Sequence, residues 1–189
     1  MVTTELAQKE GNPEQAECEI FTQKSAIDEV AEAYNNLGVT YHVHGMIELA
    51  INKCKQALMM KPNLTEAFNN LGAAYYYSGE IDLALEQWKE ALRINSGLAE
   101  VHGNLGVAYK AQGNLDCAIA ELKKVLEIDP SDAYTDFILA EIYQTQGRFL
   151  MALEFYRKFL EVATPEDDCS VKVANERIHR LGEEAALLN

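Results

Sequence analysis

Asparagines at 36, 70 and 104 stand 34 residues apart, and glutamates at 32, 66 and 100 keep the same interval. A side-chain amide can both donate to and accept from a peptide backbone. An evenly spaced ladder of amides is therefore suited to holding a polypeptide. The glutamates either steer a basic segment toward it or complement helix dipoles. Little else in the chain has the spacing of chemistry. His42 and His44 resemble a metal pair, but positions i and i+2 of a helix point roughly 200° apart and do not share one ion. His102 takes a slot that Tyr34 and Phe68 fill in the two earlier repeats, which makes it a packing residue. The cysteines at 18, 54, 117 and 169 form no C-x-x-C pair, and no nucleophile elbow, phosphate loop or H-E-x-x-H is present. No catalytic residue, metal site or cofactor is expected, and the chain reads as a binding protein without enzyme activity.

The elements that position this ladder repeat with it. Leu37, Leu71, Leu105 and Leu139 are 34 apart, as are Tyr41, Tyr75, Tyr109 and Tyr143. Gly45, Gly79, Gly113 and Gly147 follow the interval, as do Ala50, Ala84, Ala118 and Ala152. A period of this length marks stacked units, none of which buries its apolar face alone. Tyr34, Leu37, Gly38 and Tyr41 fall at i, i+3, i+4 and i+7, one stripe of an amphipathic helix. The recurrent glycines suit a left-handed turn after that helix. Pro62 and Pro130 stop the second helix of their repeats. Cys54 stands in the slot of Trp88, Leu122 and Tyr156, as an apolar filler.

The pattern aromatic-x2-L-G-x2-Y…A…P resembles the tetratricopeptide repeat family over residues 31 to about 164. The resemblance implies an all-α fold, a right-handed α-solenoid of stacked antiparallel helix pairs with a C-terminal capping helix. It implies four repeats, at 31–64, 65–98, 99–132 and 133–164. It also implies that the small residues Gly38, Gly72, Gly106 and Ala140, and the alanine row, meet where paired helices cross closely. The first helices of the family line a concave groove. Carried onto this chain, the groove takes Glu32, Asn35, Asn36 and Val39 from repeat one, and Glu66, Asn69, Asn70, Tyr76 and Tyr77 from repeat two. Repeat three adds Glu100, Asn104, Val107 and Lys110, and repeat four adds Tyr134 and Phe137, with Ile138 and Glu141 on the same stripe. The asparagine row is similar to the ladder in the repeats of O-linked GlcNAc transferases, although no glycosyltransferase domain follows it. The basic clamp of chaperone-tail binders is not matched, because Lys110 stands nearly alone among Glu and Asn.

Asp136 and Ala140 are departures in repeat four, read as a genuine repeat with a changed partner-facing side. GNPEQAECEIF at 11–21 aligns with GNLDCAIAELK at 113–123, so 11–30 reads as the second helix of a degraded half-repeat, after a mobile segment at 1–10. At the other end, 165–189 reads as a capping helix and tail. Thr164, Pro165 and the acids at 166–168 mark its start, and Val171, Ala174, Ile178 and Leu181 form its apolar stripe.

Thirty acidic against 16 basic residues leave a net charge of −14. A nucleic-acid ligand is disfavoured, since a phosphate backbone needs a basic footprint. No apolar run is long enough for membrane insertion, and the amino end lacks a signal-peptide pattern, so a cytoplasmic location is expected. The expected partner is another protein, through a peptide segment with apolar anchors and some positive charge. Self-association is the rival, as in a self-assembling scaffold of the magnetosome-associated repeat type. An accessory role in an enzyme complex is a third reading.

Overall fold

The computed structural model describes residues 13–164 and 168–187. All regular structure among them is helical: α1 (Pro13–Val43), α2 (Ile47–Met60), α3 (Thr65–Ser78), α4 (Ile81–Ile94), α5 (Ala99–Ala111), α6 (Leu115–Ile128), α7 (Ala133–Thr145), α8 (Phe149–Val162) and α9 (Asp168–Leu187). The helices fall into two compact units divided between Ile94 and Asn95. In the first, α1 pairs with α2 and α3 with α4. In the second, α5 pairs with α6, α7 with α8, and α9 packs on α8.

Each pair is joined by the same turn, and the sequence dictates it. Gly45, Gly79, Gly113 and Gly147 have φ of 73°, 87°, 76° and 71°, the left-handed region where a Cβ is penalised. The residue after each glycine donates its backbone N–H to the carbonyl of the recurrent tyrosine: Met46 to Tyr41, Glu80 to Tyr75, Asn114 to Tyr109 and Arg148 to Tyr143, each at 2.9 Å. That bond closes a Schellman motif and satisfies a carbonyl the ending helix leaves open. Two of the second helices, α2 and α6, stop where proline disfavours the α conformation of the residue before it. Lys61 and Asp129, ahead of Pro62 and Pro130, leave the α region, with φ of −129° and −128° and ψ of 86° and 94°.

The packing of a pair turns on the glycine of the first helix. A Cβ on Gly72 would lie 2.6 Å from the Trp88 Nε1 atom, one on Gly106 2.6 Å from Leu122 Cγ, and one on Gly38 2.7 Å from Cys54 Sγ. The closest neighbours of these glycines are thus the row Cys54, Trp88 and Leu122, more than the alanine row. Ala50, Ala84, Ala118 and Ala152 are themselves fully buried. Trp88 is locked as well as packed, because its indole N–H donates to the Asn69 carbonyl at 3.1 Å. Burial pushes the Cys54 thiol up to about 11, consistent with an inert filler. Cys117 and Cys169 are free thiols.

At the amino end, the expected half-repeat and the first helix of repeat one are one 31-residue helix, with no turn between them. No glycine lies between Gly11 and Gly38, and Pro13 sits where a helix tolerates it, so nothing in the interval reverses the chain. The segment 1–10 lies outside the described residues. So do Pro165, Glu166 and Asp167, the expected start of the last helix. α9 behaves as a cap of the second unit. Ala174 and Leu181 are buried in its core cluster, with Val171 and Ile178 packed at the edge.

Two alanine substitutions should move stability in opposite directions. Gly72→Ala meets a ring that cannot retreat and should cost about 1–3 kcal/mol. Gly103→Ala, in the same kind of helix, meets only Val125 Cγ2 at 3.9 Å. It should stabilise by about 0.5–1 kcal/mol through helix propensity and a stiffer unfolded chain. Urea unfolding of both variants checks the pair, and shifts of the same sign would contradict this packing.

Candidate peptide-binding surface

The first unit gathers the expected residues of repeats one and two on α1 and α3. Asn35 is buried, and its Oδ1 accepts from Asn70 Nδ2 at 2.8 Å. The two belong to adjacent repeats, offset by one period plus one residue. One member of the asparagine ladder is therefore bonded to an asparagine outside it, and the Asn70 amide is not wholly free for a ligand. Glu32 is similarly engaged, with Lys61 Nζ 2.8 Å from its Oε1. Glu32, Asn35, Asn36, Lys61, Leu64 and Glu66 line one open, largely polar depression. Asn69 is buried, and its backbone holds Trp88, so it is a packing residue and not a groove residue. Tyr76 leans on Trp88, with ring centroids 6.1 Å apart, and is half-buried.

Exposed apolar side chains stand further along the same two helices, toward their C-terminal ends. Tyr77 is 69 % exposed, Val43 75 % and Val39 39 %. Tyr77 is braced edge-on by His42 at 4.8 Å and by Tyr76 at 5.9 Å. The Nδ1 atom of His42 is buried without a hydrogen-bond partner. His44 instead places Nδ1 2.7 Å from the Thr40 carbonyl. The two histidines serve different neighbours, and among the described residues no cluster of His, Cys, Asp or Glu has the makings of a metal site.

In the second unit the stripe divides. Tyr134 is 67 % exposed on α7. Lys110 of α5 forms an ion pair with Glu141 of α7, so it is not an isolated lysine waiting to clamp a carboxylate. Asn104 and Val107 are half-buried, and Glu100 is exposed. Two expectations are corrected. Phe137 packs edge-on against Tyr156 and Phe159, with centroids 5.7 and 5.2 Å away, and Ile138 is buried. Ile138 is core and Phe137 packs half-buried against it, because α7 is apolar on more than one side and α8 covers the extra width. His102 is buried as expected, and it is also bonded at both nitrogens. Nε2 lies 3.1 Å from the Ser96 carbonyl, to which it must donate, and Nδ1 lies 2.6 Å from Glu121 Oε2.

The ion pairs Glu32–Lys61 and Lys110–Glu141 were not readable from the sequence. Their partners are 29 and 31 residues apart. Only the 34-residue period hints that such separations bring side chains together across neighbouring helices.

Paired helices, Schellman turns and a stripe of amides, acids and tyrosines on first helices define a helical-repeat protein built for interaction. Tetratricopeptide repeat profiles match residues 31–64, 72–113, 108–147 and 137–170, and the chain belongs to that family. No curated protein sequence matches it. Among solved structures it is similar to MamA, at 27% identity over 69% of this chain and 77% of that one, with a TM-score of 0.67. It is also similar to TTC0263, a thermophilic TPR protein of Thermus thermophilus, at 28% identity over 78% of this chain and 81% of that one, with a TM-score of 0.67. The first TPR of Spaghetti (RPAP3), solved bound to the HSP90 peptide SRMEEVD, shares the fold at 21% identity over 64% of this chain and 95% of that one, with a TM-score of 0.62. No helix among the described residues is long and apolar enough to cross a membrane.

One buried acid makes the second unit sensitive to pH. Asp136 stands in the slot of Tyr34, Phe68 and His102, is buried, and has an Oδ1 atom without a partner. Burial pushes its carboxyl up to about 6; Asp132 and Glu161 add to this, and Lys158 opposes it. A folded pKa above the unfolded value of about 3.9 means that folding retains a proton the unfolded chain releases. Stability should therefore fall as pH rises from about 4 to about 6 and level off above, by roughly 2–3 kcal/mol in all. Asp136→Asn should remove that slope and stabilise the protein at neutral pH. Denaturant midpoints of wild type and variant across pH test this, and parallel profiles would contradict it.

Proposed function

We propose that the chain is a protein-interaction scaffold that takes a peptide segment with apolar anchors and positive charge on the first-helix surface of its first unit. The carrying observation is the exposure of Tyr77, Val43 and Val39 on the same two helices, α1 and α3, whose opposite ends hold a depression lined by Glu66, Asn36 and the Glu32–Lys61 pair. Aromatic side chains held rigid by neighbours are favoured anchors at interfaces, because little rotamer freedom is lost on binding. Glu32 is already paired with Lys61, and Glu66 is the acid that repels an acidic segment and draws a basic one, an effect that weakens with salt. Asn36 is exposed and can hydrogen-bond a peptide backbone, whereas Asn70 contributes chiefly by holding Asn35 in place. In RPAP3 a related fold carries an HSP90 peptide rich in acids. The acidic rim and the pairing of Lys110 with Glu141 favour the opposite charge preference here.

Selection of a random displayed peptide library on the full chain tests the reading. Enriched sequences should combine apolar or aromatic residues with Lys or Arg. Tyr77→Ala should weaken the best of them by about tenfold or more, mainly through faster dissociation. Glu66→Gln should mainly slow association at low salt. Enrichment of acidic peptides, or binding unchanged by Tyr77→Ala, would contradict it.

A further inference from the structure

The recurrent leucine is covered in the later repeats by the second helix of the repeat before it. Leu71 is buried where α2 packs on α3, and Leu139 is buried where α6 packs on α7. On α1 the same row is open. Leu37 is 37 % exposed and Val30 44 %. They lie on one face with Ala26 and Ala33, at i, i+4, i+7 and i+11, and both alanines are exposed. Of the charged residues of this stretch, Lys24, Asp28 and Glu32 fall off that face, and Glu29 borders it one turn from Ala26 and Ala33. The row itself is thus apolar and uncharged in a chain of net charge −14.

The order of side chains along this face is self-complementary. It reads small, large, small, large: Ala26, Val30, Ala33, Leu37. An antiparallel copy centred between residues 31 and 32 sets Ala26 opposite Leu37 of that copy and Val30 opposite its Ala33. Every large side chain then meets a small one, and a two-fold axis supplies both halves of the contact. A head-to-tail alternative has less to offer. α9 covers α8 in the second unit and keeps Lys172, Asn175, Glu176 and Arg180 exposed, a charged surface that does not match an uncharged one. Across most of the surface two copies would repel each other, and an uncharged row avoids that cost.

We infer that two copies of the chain pair antiparallel through the Ala26–Val30–Ala33–Leu37 face of α1. The inference is independent of the peptide reading, since the face is distinct from that of Val39, Val43 and Tyr77. Sedimentation equilibrium of the full chain over a concentration series is the test. The expected mass is twice the 21.1 kDa of one chain. Leu37→Glu sets a charge into the contact of each copy and should weaken dimerisation on the order of a hundredfold or more. Leu37 is partly exposed, so the helical circular dichroism of the variant should match wild type. Leu150→Glu, at a side chain 74 % exposed on α8, should leave the dimer intact. A second measurement fixes the register. With Cys18, Cys117 and Cys169 replaced by serine, the double substitution Ala26→Cys, Leu37→Cys should yield a disulfide-linked dimer on mild oxidation. The two positions are about 16 Å apart within one helix and cannot bridge each other. A monomer throughout the series, a dimer as tight in Leu37→Glu as in wild type, or a failure of the cysteine pair to link would each overturn the inference.

Discussion

The contact on which this structure depends is the one between a glycine of each first helix and a bulky side chain of the helix paired with it. With no Cβ on Gly72, the Trp88 ring lies against bare backbone, and its indole reaches the Asn69 carbonyl. Gly106 receives Leu122 and Gly38 receives Cys54 in the same manner. These close approaches set the spacing of each pair. The pairs in turn set which side chains of the first helix face inward. The left-handed glycine seven residues later reverses the chain, so that the second helix returns at the right height. Everything proposed about binding rests on this frame, because residues two positions from the buried glycine, such as Asn70, are turned toward the neighbouring first helix.

That frame was legible in the sequence to an unusual degree, and the reason is physical. A glycine required by a positive φ, or by a ring at van der Waals distance, cannot be exchanged without cost, so its spacing survives in the chain. The helix pairs, the turns, the filler role of Cys54, the burial of His102 and the stripe of the last helix were all open to that reasoning. The surface was less legible. Asn70 reads as a ligand-facing amide until Asn35 is found 2.8 Å away, and Phe137 reads as an anchor until Tyr156 and Phe159 are found around it. Whether a side chain on the flank of a helix is free or occupied depends on its neighbour one repeat away. The periodic pattern averages that information out. Repeat four shows this most clearly, since the rings that occupy Phe137 stand 19 and 22 residues further on, on α8.

The two ends of the described structure are treated differently by the chain. The second unit closes with α9, whose apolar stripe is absorbed into the core. The first described helix is about 46 Å long, more than twice the length of α2, and among the described residues no helix precedes it to cover its leucine row. A repeat protein must either cap such a row or use it. The buried acid at Asp136 is a second local departure: a repeat slot that elsewhere holds a ring or a bonded histidine holds a carboxyl with an unsatisfied oxygen. Both departures sit where the periodic rule is interrupted, one at the first described helix and one at an unusual residue.

The glycine–ring contact is tested most directly by a double-mutant cycle between Gly72→Ala and Trp88→Ala, read by urea unfolding of the four proteins. If the Trp88 ring is what the added Cβ meets, Gly72→Ala should be destabilising in the wild-type background. It should be neutral or stabilising once the ring is removed, because only the helix-propensity gain of alanine remains. An equal cost in both backgrounds would contradict the account, since the glycine would then be required for a reason other than the packing described.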